Sequence, residues 1–270
     1  MAEVYAEVER VPIAAASIAQ VHAAKLPDGT DVVIKVQRPR IRNRVRADLW
    51  FIRQQAWLAE RVSLDMRLAN ATGVVDDFRQ TIQEELDFRV EGRNMDEFNA
   101  IMVKHGQSDT IAAPFVHWSH TTERLLTMER FYGLKADDVD AARAAGLDTE
   151  YWLRVGMRAW SMTMMLHGFF HGDVHAGNLM LLHEQGKVGF IDFGIVGRFT
   201  DEQRMQVLRY VLSFTTGDFK ELAVVLIEMD AADHDIDVDK VAVDLERVYA
   251  PLMSTALAEI DYGSMLPDIM

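Results

Sequence analysis

His171-Gly172-Asp173-Val174-His175-Ala176-Gly177-Asn178, with Asp192-Phe193-Gly194 beginning fourteen residues after Asn178, is the stretch on which the reading turns. An aspartate, an asparagine five residues on, and an Asp-Phe-Gly closing an apolar strand are residue types that a phosphoryl-transfer site needs at this spacing. A carboxylate must orient or deprotonate the acceptor hydroxyl, and Asp173 suits that work. Hard oxygen donors must hold Mg²⁺ beside nucleotide phosphates, and Asn178 and Asp192 can supply them. Gly194 gives the backbone freedom to turn sharply out of the strand. Two plainer readings compete. His167, His171, Asp173 and His175 could ligate a hydrolytic zinc or iron ion, or the whole group could be polar loop residues. Three spacings that agree with the strand context favour phosphoryl transfer.

Upstream, Val32-Val33-Ile34-Lys35 puts one of only seven lysines at the end of an apolar β-branched run. Alone, such a run is an edge strand whose lysine reaches water. A buried ammonium is costly without anionic partners, and in a kinase-type site this lysine grips the α and β phosphates and pairs with a helix glutamate. The acidic segment from Glu84 to Glu91 offers that partner. Glu84, Asp87 and Glu91 share a helix face by their spacing, with Glu85 offset by about a hundred degrees. A solvated face accounts for most such runs, but a site that balances Lys35 and a metal gives one carboxylate reason to point inward. Glu91 is the expected partner. No G-x-G-x-x-G occurs; between the first two strands stands Ala14-Ala15-Ala16-Ser17-Ile18-Ala19-Gln20-Val21-His22. Alanine still offers backbone N–H groups to phosphate, although its Cβ penalises positive φ.

The remaining chain frames these motifs. Strands are expected at 8–13, 18–26 and 31–36, helices at 41–70 and 74–103, and strands again at 115–118 and 124–129. A helix at 150–167 and a hairpin of 179–182 with 187–191 follow, and the texture after Asp201 is helical. The class is therefore α+β: a β-rich piece with two long inserted helices at 1–130, then a mostly helical piece at 131–270, with a boundary near 131–133. Among 270 residues, 49% apolar and 26% charged is folded-protein usage, and the absence of cysteine excludes disulfides and thiolate chemistry. With 28 basic against 42 acidic residues, a net charge of −14 gives no support to nucleic-acid binding. Residues 1–10 carry no secretory signal, and the most apolar long stretch, 151–170, is broken by Arg154, Arg158 and His167. A cytoplasmic location is expected, peripheral at a membrane if anything. The run Arg38, Arg40, Arg42, Arg44 and Arg46 is first a solvated helix start and second a patch for anionic headgroups. Asp230, Asp233, Asp235, Asp237 and Asp239 are spaced loosely like a calcium loop, but lack its central Gly and terminal Glu.

Residues 12–39, with the Ala-rich loop, Gln20-Val21-His22 and Val33-Ile34-Lys35-Val36-Gln37-Arg38-Pro39, resemble the UbiB/AarF atypical kinases, the coenzyme-Q-biosynthesis kinase-like family. The resemblance runs on through Glu85-Leu86-Asp87, Glu91, Met128-Glu129, Asp173, Asn178 and Asp192-Phe193-Gly194, covering about 12–199. It implies a bilobal protein-kinase-like fold that binds ATP or ADP with Mg²⁺, and a link to isoprenoid quinone or other lipid metabolism at a membrane. It places Ala14, Ala15, Ala16 and Ser17 where a Gly-rich loop would cover the nucleotide, with altered nucleotide preference. Met128 and Glu129 fall where the backbone reads adenine. Glu85 and Asp87 match the family's regulatory E-x-D, which helps occlude a protein-substrate site, and Glu91 matches its lysine-pairing glutamate. ATPase activity is the chemistry it implies most firmly. The family's K-x-G-Q precedes the Ala-rich loop, whereas Lys104-His105-Gly106-Gln107 follows the second long helix and reads as a helix-ending loop. The chain is thus expected to be shortened at its amino end. A small-molecule phosphotransferase of the aminoglycoside or choline kinase type, and a nucleotide-binding scaffold without turnover, are the alternatives.

Overall fold

The computed structural model describes residues 4–230 and 236–256. They form two compact units, one of residues 4–159 with 171–196 and the other of residues 160–170 with those from 197 onward. Strands β1 (Glu7–Val8), β2 (Ala14–Ala15), β3 (Ala19–Lys25) and β4 (Asp31–Gln37) open the chain. Helices α1 (Ile41–Val62), α2 (Leu64–Leu68), α3 (Ala71–Glu85) and α4 (Phe88–Lys104) follow. Then come β5 (Ile111–Ala112), β6 (Leu125–Glu129), β7 (Leu134–Lys135), α5 (Val139–Ala144) and α6 (Thr149–His167). Strands β8 (Phe169–His171), β9 (Leu179–Leu182), β10 (Lys187–Phe190) and β11 (Val196–Arg198) precede α7 (Asp201–Thr216), α8 (Phe219–Asp230) and α9 (Val238–Ala256).

The first sheet runs β1-β3-β4-β6, with β2 added on β3, and all its pairs are antiparallel. Its centre is β4, which explains why that strand reads as a nearly continuous apolar run. Alternation sends Val32 and Ile34 into a core with Tyr5, Ala24 and Leu26. Val33, Lys35 and Gln37 therefore share the opposite face, and all three are buried as well. A second sheet, β5-β10-β9-β7, carries the hairpin that leads to Asp192. Since β5 and β7 pair with the strands of that hairpin, the contact division falls elsewhere than the lobe boundary expected near 131–133.

Several expected elements differ. The strand at 8–13 is two short pieces, β1 and β2, separated by an exposed stretch. At 115–118 there is no strand among the named ones; Val116 bridges to Met128 alone, and Trp118–His120 forms a 3₁₀ turn. The helix expected at 41–70 breaks at Ser63, whose side chain caps α2 by accepting from Met66 N–H. The helix expected at 74–103 breaks at Leu86-Asp87, where Asp87 takes an extended conformation and caps α4. The shared face of Glu84, Asp87 and Glu91 is thereby overturned, because no helix runs through all three. Lys104-His105-Gly106-Gln107 does end a helix, with Gly106 at φ +62°.

In the second unit, Thr200 and Gln203 form a reciprocal cap at the start of α7, and Gly217 at φ +72° ends it. Phe214 on α7 meets the Tyr249 ring on α9 at 5.4 Å. Asp237 caps α9 and Asp239 pairs with Lys220 at 2.8 Å, whereas Asp233 and Asp235 lie outside the described residues. Among the described residues no helix is long and apolar enough to cross a membrane.

Candidate functional site

The sheet face that holds Lys35 and Gln37 receives α4. Phe88, Glu91, Met95, Phe98 and Met102 recur along one stripe of that helix, and all are buried. Phe98 packs at a tilt against Phe190 and Phe193 with ring centroids at 5.0 Å from each, so the helix docks on the strand end that carries Asp192. Asn94, also buried, donates to the Phe193 carbonyl at 3.0 Å. This packing brings together residues far apart in sequence. Lys35 Nζ donates to Glu91 Oε1 at 2.7 Å and to Asp192 Oδ2 at 3.2 Å.

Burial works against the Lys35 ammonium, but the charges of Glu91 and Asp192 together outweigh it and hold the amine above its ordinary value. Burial pushes Glu91 upward, and the adjacent ammonium limits the rise. For Asp192, burial is outweighed by Lys35 and by the Gly194 amide, which leaves its carboxyl below the usual range. Its side chain remains 38% exposed, so this carboxylate, unlike that of Glu91, has room for a further partner.

The loop after β8 is built around His171. Its Nδ1 accepts from the Asp173 amide at 3.2 Å, and its Nε2 donates to the Asp192 carbonyl. Burial holds the imidazole below its ordinary value, in keeping with a neutral ring that uses one nitrogen each way. The alternative of a metal ligated by His167, His171, Asp173 and His175 fails on this point, since both His171 nitrogens are engaged. His175 accepts from Gly177 N–H through Nδ1. Asn178 Nδ2 donates to the Asp173 carbonyl at 3.0 Å and to its carboxylate at 3.2 Å. That use of the amide nitrogen leaves Oδ1 as the atom able to face a cation. The Asp173 carboxylate is half exposed, and the Ile191 amide ties back to the Asn178 carbonyl at 3.0 Å.

Glu85 and Asp87 do different things. Glu85, at the last turn of α3, is pushed above its ordinary range by burial and next by the charge of Asp192. Asp87 faces away, accepting from Arg89 through both backbone and guanidinium. Between them, the Leu86 carbonyl accepts from Gln37 and from Arg42. Sequence reading gave Gln37, Arg42 and Asn94 no part in the site, and the carbonyls they donate to lie 44 to 99 residues away. The basic run is accordingly more than a solvated helix start: Arg38 also donates to the Ala16 carbonyl at 3.1 Å.

Ala14 and Ala15 pair with Val21 and Gln20 in a tight hairpin closed by Ala16 N–H to Ala19 O at 2.9 Å, and Ala14, Ala15, Ala16 and Ser17 are all exposed. None of these residues has positive φ, so the hairpin makes no demand that glycine alone could meet. Met128 is buried in β6 opposite Val33. The Glu129 amide is committed to the Phe115 carbonyl at 2.8 Å, and the backbone free to leave the sheet begins after it.

The family model of the ABC1 atypical kinase-like domain matches residues 1–226. The chain belongs to this family. An uncharacterised protein of Mycobacterium tuberculosis is 39% identical to this ABC1 chain over 266 residues, 98% of the chain and 54% of the relative. An uncharacterised chloroplastic aarF domain-containing protein kinase of Arabidopsis thaliana is 37% identical over 250 residues, covering 92% of this chain and 46% of its own. A probable protein kinase UbiB of Pseudomonas aeruginosa is 31% identical over 267 residues, covering 98% and 50%. The ABC1 chain thus spans about half the length of the curated relatives it matches. The solved complex of Rv3197 with erythromycin from Mycobacterium tuberculosis aligns with a TM-score of 0.67 at 23% identity, over 96% of this chain and 67% of that one. That likeness is one of fold: the ABC1 chain is a mixed α/β, kinase-like protein.

Proposed function

We propose that this chain binds ATP or ADP with Mg²⁺ and acts as a phosphotransferase-type, ATP-utilising enzyme of the UbiB kind. The observation that carries the reading is the Lys35 ammonium held between a buried glutamate and a part-exposed aspartate. An ammonium so placed meets the α and β phosphates, and Glu91 positions it. Asn178 and Asp192 hold the Mg²⁺, Asp173 orients the acceptor hydroxyl or a water, and Ala14 to Ser17 cover the phosphates. Met128 and the backbone from Glu129 onward line the base, and Glu85 with Asp87 regulate access. Bound Mg²⁺ supplies positive charge to the phosphate oxygens.

The donor set fits that ion. Asp192 and Asn178 offer one hard oxygen each, and among the described residues no group of three or more His, Asp or Glu could hold a metal ion unaided. Mg²⁺ commonly takes one or two protein oxygens and completes its shell with phosphate and water. Kinship to proteins named UbiB and aarF supports the further link to isoprenoid quinone or lipid metabolism at a membrane surface.

Thermal-shift titrations with ATP and with ADP, each with and without Mg²⁺, test the reading on the parent and on Asp192→Asn. The parent melts higher with Mg²⁺-nucleotide according to affinity, and the variant loses most of the Mg²⁺-dependent part. An equal response in both would remove Asp192 from the site.

A further inference from the structure

Apart from Lys35 and its partners, α1 and α3 enclose a cleft of about 520 Å³. Four guanidiniums line it, from Arg42, Arg46, Arg53 and Arg79. In a chain of net charge −14 that is a local inversion of sign. We infer that this cleft binds an amphiphilic phosphate or carboxylate, its head on Arg46 and Arg79 and its body against the apolar wall.

The charges on the cleft do not balance. Asp76 takes Arg53 through two bonds of 2.9 and 3.1 Å, and the same carboxylate lies 3.9 Å from Arg79. Arg42 is engaged by the Leu86 carbonyl and by Gln37, with Glu123 at 3.4 Å. The Arg46 guanidinium makes no hydrogen bond or ion pair with a described residue. Among the described residues two carboxylates therefore answer four guanidiniums, and the surplus lies with Arg46 and Arg79. A guanidinium presents a planar fork that matches carboxylate or phosphate oxygens, which makes an oxyanion the fitting head group.

The other wall is apolar. Leu49 and Leu86 form its buried floor, Val45 flanks them, and the Trp50 ring stands 64% exposed at the side. An inorganic anion would leave that wall wet, and a neutral apolar molecule would cover guanidiniums without pairing them. Only a ligand with both characters uses the whole lining. The volume falls in the range of roughly 300–1,000 Å³ usual for small-molecule sites.

Calorimetric titration of the whole chain tests this with three probes: octyl phosphate below its micelle concentration, inorganic phosphate and octyl glucoside. The parent binds octyl phosphate one to one, and inorganic phosphate and octyl glucoside at least tenfold more weakly. Arg46→Ala combined with Arg79→Ala weakens octyl phosphate at least tenfold with an unchanged melting temperature; Arg46→Gln alone serves should the pair fail to fold. Equal affinity in parent and variant overturns the proposal, as does inorganic phosphate binding as tightly as octyl phosphate. Binding to anionic vesicles without binding to monomeric octyl phosphate also overturns it, by making the face a bilayer contact.

Discussion

Lys35 donates to Glu91 Oε1 at 2.7 Å with only 8% and 4% of the two side chains exposed. At that burial neither charge can turn to water when its partner is removed. Lys35→Met should lower stability by about 3 kcal/mol because it strands the Glu91 carboxylate, while Glu91→Leu should cost less because Asp192 still pairs with Lys35 at 3.2 Å. Together they should cost less than the sum, with a coupling of about 1–3 kcal/mol in urea unfolding. Additive losses would mean that the pair is not coupled.

Asp87 caps α4 and so sets the direction of the helix that carries Glu91. The hydrogen-bonded Arg89 side chain holds this carboxyl below its ordinary value; burial opposes it less strongly, and the Arg89 backbone N–H adds a smaller lowering. A folded-state pKa below the unfolded one contributes stability above the unfolded value, and that stability is lost as pH falls through the folded one. Asp87→Ala should therefore lose about 1 kcal/mol at neutral pH. The gap between parent and variant should shrink below about pH 4, where the free carboxyl protonates. Urea midpoints measured at pH 7 and pH 3 check both parts.

The same residue shows where the sequence was hard to read. Apolar positions at Phe78, Ile82 and Leu86 keep helical spacing up to the break, and Met95, Phe98 and Met102 keep it beyond, so a helical texture runs through both α3 and α4 and does not mark the division. The stop is encoded instead by Asp87 ahead of Phe88, a cap signal hidden inside an acidic run. Ser63 ahead of Leu64 is a similar case. The apolar run ending at Lys35 was legible because a central strand is buried on both faces. The acidic segment 84–91 points to Glu91 as the partner of Lys35, and the family resemblance matches it; the distances that join Lys35 to Glu91 and Asp192, 56 and 157 residues away, are set by tertiary packing that no local pattern fixes. The dual use of His171 depends on a carbonyl 21 residues distant, which no spacing announces.

In the alanine hairpin, Ala15 is exposed and has no positive φ. Glycine there gains nothing in the folded state and widens the unfolded ensemble, so Ala15→Gly should cost about 0.4–1 kcal/mol. The looser hairpin should also change the ratio of ATP to ADP affinity in calorimetric titration. An unaltered ratio would count against any contact between this hairpin and the phosphates.

Gly194 follows Asp192-Phe193 without a positive φ, so backbone freedom is not what the position requires. Its surroundings give a different reason. The Gly194 amide donates to Asp192 Oδ1 at 3.0 Å, and an added Cβ would stand 3.2 Å from that same oxygen. Asp192 cannot yield freely, since Lys35 holds its other oxygen at 3.2 Å. Gly194→Ala gains about 0.4–1 kcal/mol by restricting the unfolded chain, and the crowding spends a comparable amount, so the melting temperature should move little. The carboxylate should nevertheless shift by a few tenths of an ångström, and the Mg²⁺-dependent part of the nucleotide thermal shift should fall. A variant with a full Mg²⁺ response would show that Asp192 tolerates displacement, which a metal-holding carboxylate does not.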